Sequence, residues 1–180
     1  MAAFASAASL LETCSRAAGL SPASGGAAAD DDSPNSADFG YARMMIEHRS
    51  QALEMAEPAP KQAESGQVKR LAARIAAAQG PEITTMKSWP KAHDGEQAGA
   101  EHEHGTMPGM AAATQLRKLR ATKGKAFDEL FLKLMITHHD GAITMATGVK
   151  AQGNNIQIEE MTDDVIAQQT SEITRMRTMA

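Results

Sequence analysis

Met135-Ile136-Thr137-His138-His139-Asp140-Gly141-Ala142-Ile143-Thr144-Met145-Ala146 follows, at an offset of ninety residues, Met45-Ile46-Glu47-His48-Arg49-Ser50-Gln51-Ala52-Leu53-Glu54-Met55-Ala56. Met45, Ile46, His48, Ala52, Met55 and Ala56 all recur at that offset. It also joins Gln79, Glu82, Ile83, Thr84 and Met86 to Gln169, Glu172, Ile173, Thr174 and Met176. No gap is needed between Asp38/Asp128 and Trp89/Met179. A unit of about fifty residues is therefore duplicated, and a fixed-period match is settled before anything else is read.

The local pattern is helical in both copies. Met45, His48, Ala52 and Met55 are spaced three, four and three residues apart, which places them on one helix face. Phe131, Met135, His138, Ala142 and Met145 form the matching seam. Arg43, Glu47, Ser50 and Glu54, and in copy two Lys133, Thr137, Asp140 and Thr144, take the other side. An apolar seam faces a core, so each copy places a histidine in that core between thioethers.

Outward from these seams, the pattern predicts four main helices. The first covers about 38–57, stopped by Pro58 and Pro60 and capped by Ser36 or Asp38. The second starts near Gly66 and carries Val68, Leu71, Ile75, Gln79, Glu82, Met86 and Trp89 on one face. Gly80-Pro81 is expected to kink or break it. The third covers about 125–149. The fourth covers about 156–179, with Ile158, Met161, Val165, Gln169, Glu172, Ile173 and Met176 as its seam. A short helix is expected near 114–121. Two helical hairpins joined by a long crossover make an all-α four-helix bundle. The domain reading is a leader and tether at 1–37 and a duplicated bundle at 38–180, split as 38–89, a linker at 90–123, and 124–180.

Composition narrows the function classes. A chain of 180 residues has room for one domain. The formal net charge of −4, with Lys and Arg scattered, argues against nucleic acid. No apolar run is long enough for a membrane-spanning helix. A single cysteine, Cys14, excludes an internal disulfide and a multi-thiolate metal site. Residues 1–13 read as a degenerate export signal lacking a basic start, with Glu12-Thr13 before Cys14. The Ala-, Gly-, Ser-, Pro- and Asp-rich segment at 15–37 reads as a tether. Together they make Cys14 a candidate lipid anchor. A homo-oligomeric assembly stays open.

Thioether and imidazole donors select Cu(I) or Ag(I) over hard ions. The candidate ligands are Met45, His48, Met55, Met135, His138, His139 and Met145, with His102, His104, Met107 and Met110 of the linker as accessories. If the first and third helices pack near a symmetry axis, His48 approaches His138. Glu82 and Glu172 share the core-facing seams and need partners there. A carboxylate–imidazole hydrogen bond would fix a ring tautomer. The alternative is that methionine and histidine simply fill a structural or interaction bundle. No constellation for acid–base or nucleophilic catalysis is visible. The only Glu-x-x-His, Glu101–His104, lies in a glycine-rich loop, against a di-iron carboxylate enzyme.

The doubled Met-x-x-His-(His)-x-x-Ala-x-x-Met-Ala pattern, each followed by Gln-x-x-Glu-Ile-x-x-Met, resembles the bacterial family catalogued as domain of unknown function 305. The linker His104-Gly105-Thr106-Met107-Pro108-Gly109-Met110 is similar to that family's His-Gly-Met-Pro-Gly-Met segment, with Thr106 added. Gly124, Phe127-Asp128 and Phe131-Leu132 match the entry into its His-His helix. The resemblance covers about 38–179. It implies a ferritin-like bundle, export to the periplasm or cell surface and, for some members, copper binding and tolerance. The family's His-His pair falls on His138-His139 in copy two and on His48-Arg49 in copy one. Pro58 and Gly80-Pro81 are further departures.

Overall fold

The computed structural model describes residues 32–93 and 107–180. Among them the chain is all-helical: α1 (Ser36–Ala56), α2 (Ala59–Gln62), α3 (Gly66–Ala92), α4 (Ala113–Ala121), α5 (Lys125–Lys150) and α6 (Ile156–Arg177). The long helices pack as two hairpins, α1 on α3 and α5 on α6, and α1 lies against α5. Cys14, the expected export segment and tether up to residue 31, and His102 and His104 lie outside the described residues.

Polar side chains fix the helix starts. Asn35 caps α1, accepting from the Ala37 and Asp38 amides at 2.8 and 3.2 Å. Asp38 returns the bond to the Asn35 amide at 2.9 Å, completing a capping box. The cap is thus one residue before the expected Ser36, and Asp38 supports it from the first turn. Ser65 caps α3 through the Gln67 amide, and Asn155 caps α6 through Gln157 and Ile158.

Two details of the expected helices concern proline. Pro58 ends α1 but also starts a one-turn helix, α2, where a missing N–H costs nothing. Pro81 does not break α3, which runs on through Pro81 and Pro90. Pro81 and Ala77, whose carbonyl loses its partner, are both exposed, so water can serve that carbonyl. The buried face of Val68, Leu71, Ile75, Gln79, Ile83, Met86 and Trp89 keeps its spacing across the proline.

A pair of carboxylate clamps ties the hairpins together. Asp128, at the start of α5, accepts from the Glu64 and Ser65 amides in the α2–α3 turn at 3.2 and 2.8 Å. Asp38, at the start of α1, accepts from the Asn154 amide in the α5–α6 turn, at 3.1 Å to its nearer oxygen. Asp38 and Asp128, and Glu64 and Asn154, stand ninety apart, so each copy holds the other's turn. Both carboxylates are buried.

The linker is partly a strap. Residues 107–112 cross α5 so closely that a Cβ on Gly141 would lie 2.1 Å from the Pro108 carbonyl oxygen. Gly109 has φ of 78°, which glycine adopts without strain. On the α1 side, the Gln51 amide both donates to the Ala111 carbonyl at 3.0 Å and accepts from its N–H at 2.7 Å.

Each clamp consists of hydrogen bonds to a charged acceptor, so Asp38→Ala and Asp128→Ala should each cost about 2–3 kcal/mol in urea unfolding. Sitting on separate turns, the two losses should add. A loss below about 0.5 kcal/mol from either would show that the clamps do not join the hairpins.

Candidate metal centre

Every long helix interrupts its apolar face with polar residues at the same level. On α1 these are His48 and Arg49, on α3 Gln79 and Glu82, on α5 His138 and His139, and on α6 Gln169 and Glu172. His48, Arg49, Gln79, His138, His139 and Gln169 are all buried. Two apolar clusters flank this layer. One holds Met45, Met86, Met107 and Met145 with Tyr41, Trp89 and Val165. The other holds Met55, Met135 and Met176 with Leu71, Phe127 and Phe131. The ninety-residue offset turns Met45, Met86 and Met55 into Met135, Met176 and Met145, so it exchanges one methionine group for the other.

The layer brings the candidate histidines together. The His48 and His138 rings stack with centroids 3.8 Å apart, tilted by 33°. His139 lies 6.3 Å from His138. A carbonyl or carboxylate oxygen only accepts, so the hydrogen bonds assign the protons. His48 Nε2–H donates to the Pro108 carbonyl of the strap at 3.0 Å. His139 Nε2–H donates to Glu172 at 2.7 Å. Both bonds leave Nδ1 as a buried nitrogen without a hydrogen-bond partner. On His138 neither nitrogen has one. The carboxylate–imidazole bond expected from the seams is thus present in copy two. In copy one Glu82 pairs instead with the Arg49 guanidinium, which stands where copy two has His139.

Electrostatics keep the stacked pair neutral. Burial pushes His48 down to about 4; the Pro108 hydrogen bond opposes the shift, while His139 and Arg49 add to it. Burial also drives His138 well below the ordinary histidine range, with His48 and His139 acting in the same direction. An approach to the His48 backbone opposes this, although it falls outside normal hydrogen-bond geometry. A neutral imidazole has a free lone pair, the form that binds a metal.

The other candidates divide. Met45, Met145 and Met107 join the cluster on one side of the layer, and Met110 packs against it. Met55 and Met135 lie on the other side. Met107 and Met110 therefore belong to the folded body and not to a solvated loop. Among the described residues, no three His, Cys, Asp or Glu side chains converge on a point that could hold an ion. The His48 and His138 rings lie in close, tilted contact. Sequence reasoning passed over Gln79 and Gln169 as site residues, although both recur at the offset; their buried Oε1 atoms also lack partners. Met86 and Met176 were signalled the same way. The Pro108 carbonyl carried no signal, because a backbone atom contributes nothing to a residue pattern.

The model of the domain of unknown function DUF305 matches residues 38–180. The chain belongs to the DUF305 family. Among solved structures, a DUF305 protein from Streptomyces coelicolor, named a presumed secreted protein, is 30% identical, with a TM-score of 0.73 over 79% of this chain and 89% of that one. A DUF305 fragment from Deinococcus radiodurans gives a TM-score of 0.73 at 24% identity, covering 81% and 96%. CopM in its Cu(I)-bound form is 30% identical, with a TM-score of 0.66 over 79% and 94%. CopM is also solved in Cu(II)-bound and Ag-bound forms. No curated protein sequence matches this DUF305 chain significantly. No helix among its described residues is long and apolar enough to cross a membrane.

The depressed histidines make stability depend on pH. Between about 4 and 6.5 His48 binds fewer protons in the folded chain than in the unfolded one. The unfolding free energy therefore rises with pH across that window; it is complete above 6.5 and declines as pH falls toward 4. Each histidine held neutral contributes a slope of about 1.4 kcal/mol per pH unit. Urea midpoints should fall between pH 7 and 5, and His138→Gln should flatten the dependence. A slope unchanged by that substitution would contradict burial of a neutral His138.

Proposed function

We propose that this DUF305 chain is an exported, non-enzymatic copper-binding protein that sequesters Cu(I), and Ag(I) by the same donor chemistry, in a ferritin-like four-helix bundle. One observation carries the reading. His48, His138 and His139 are buried, and each keeps at least one ring nitrogen without a hydrogen-bond partner. Such groups cost about 1–3 kcal/mol apiece when nothing binds them, so a cluster of three calls for a ligand. Methionine groups on both sides supply soft donors, and soft donors suit monovalent copper and silver. The hydrogen bonds from His48 to Pro108 and from His139 to Glu172 are the outer contacts that orient a metal-binding imidazole. The metal-bound forms of CopM support the same chemistry. Export is supported by the small-residue N-terminal segment and by the Streptomyces relative; Cys14 would be the lipid anchor, and His102 and His104 an accessory collecting site.

A structural bundle with no physiological metal is favoured by one fact, the close ring-to-ring contact of His48 and His138. The two readings differ in linkage, because a ligand that prefers the folded chain must raise its stability.

Anaerobic titration against a chromophoric Cu(I) chelator separates them. Tight binding should survive deletion of residues 94–106, fall about 10- to 100-fold in Glu172→Gln, and fall further in the His138→Gln, His139→Gln double variant. Cu(I) should raise the melting temperature of the parent chain. Binding lost with the deleted segment would make the loop the site, and no competitive binding would leave the structural bundle.

A further inference from the structure

The duplicated layer is asymmetric in charge. Copy two pairs His139 with Glu172. Copy one places the Arg49 guanidinium against Glu82. Arg49 is 2% exposed, and its neighbour in the chain is His48. Its charge acts on both stacked rings and on Glu172. No other charged residue in the layer is buried. The formal count is one guanidinium against two carboxylates, a net charge of −1. A second histidine in place of Arg49 would leave −2.

Resting on the metal-binding reading above, we propose that Arg49 sets the charge preference of the histidine layer, balancing it for a monovalent soft cation and against a divalent one. A single positive charge brings the layer to zero, whereas a double charge leaves it at +1 in a buried setting, where uncompensated charge is costly. The donors alone do not make this distinction, since imidazole also suits Zn(II) and Cu(II). Coulomb repulsion from Arg49 is linear in ion charge, so it costs a divalent ion twice what it costs a monovalent one. Glu82 holds the guanidinium in place and, at 30% side-chain exposure, remains partly solvated. Glu82 can therefore lose its partner without being stranded.

The test uses Ag(I) and Zn(II), both redox-inert and differing in charge. Dissociation constants are measured by chelator competition on the full chain at pH 7, for the parent, Arg49→Gln, Arg49→Lys and Glu82→Gln. Because each ion is compared with itself, intrinsic softness cancels. Arg49→Gln should tighten Ag(I) roughly tenfold and Zn(II) roughly a hundredfold, twice the logarithmic gain. Arg49→Lys keeps the charge and should keep the parent ratio. Glu82→Gln should act in reverse, weakening Zn(II) more than Ag(I), and it carries the test if Arg49→Gln does not fold. Equal fold-changes for the two ions in Arg49→Gln or Glu82→Gln would overturn the charge role while leaving metal binding intact. A parent chain that binds no Ag(I) would overturn the binding reading, and this inference with it.

Discussion

The buried polar layer at His48 and His138 is the constraint around which the chain is arranged. A helical hairpin pair could pack with leucine at these positions at no desolvation cost. Here each long helix gives up apolar contact at one level, and the core is divided into two methionine-bearing halves. Interiors tolerate such a division only when most of the polar groups are satisfied. In this layer some are: His139 has Glu172, Arg49 has Glu82 and His48 has Pro108. Those left over are His48 Nδ1, His139 Nδ1, both His138 nitrogens, Arg49 Nε and the side-chain oxygens of Gln79 and Gln169. Among the described residues most of the buried side-chain atoms without a partner thus lie in this layer, with Tyr41 Oη, Gln62 Oε1 and Trp89 Nε1 outside it.

The ninety-residue correspondence supplies the frame, and the exceptions to it supply the asymmetry. The Asp38 and Asp128 clamps, the two methionine groups and the Gln79/Gln169 pair all obey the ninety-residue offset. Two of the positions that depart from it bear on His48. Where copy two has Gly141, copy one has Gln51, and the strap uses the difference: it lies directly on the α5 backbone at Gly141 and is gripped by the Gln51 amide on α1. Where copy two has His139, copy one has Arg49. The first exception brings a backbone carbonyl to His48, and the second places a fixed charge beside it. Both act on the same ring, so copy one's histidine is the more heavily constrained of the two.

Much of this was legible in the residues. The offset predicts matched hairpins, and the three–four–three spacing predicts which faces are buried, because periodicity reports burial directly. The meeting of His48 and His138 follows from placing equivalent residues near a symmetry axis. The Glu172–His139 bond follows from a carboxylate on a core-facing seam. What was not legible depends on solvent or on backbone. Pro81 reads as a kink or a break; the helix is not broken there, and Pro81 and Ala77 are both exposed, which the seam alone does not weigh. The linker reads as irregular chain, yet residues 107–112 are held by contacts through Gly141 and Gln51 that only tertiary structure assembles. Met107 and Met110 read as loop ligands for the same reason, although they pack in the body.

The hydrogen-bond pattern also orders the three rings by freedom. His48 and His139 are each held at Nε2, so their orientation is set and Nδ1 is the nitrogen left to act. His138 is held at neither nitrogen and is stacked on His48. Turning His138 gives up only its approach to the His48 backbone, whereas turning His48 gives up its bond to the strap and turning His139 gives up its bond to Glu172. If the layer closes on an ion, His138 is the ring that moves and the other two form the fixed wall. The cost of that motion includes the close contact with His48. The gain is a partner for nitrogens that otherwise have none, which favours an ion that accepts few ligands and tolerates irregular angles over one that demands a complete preformed shell.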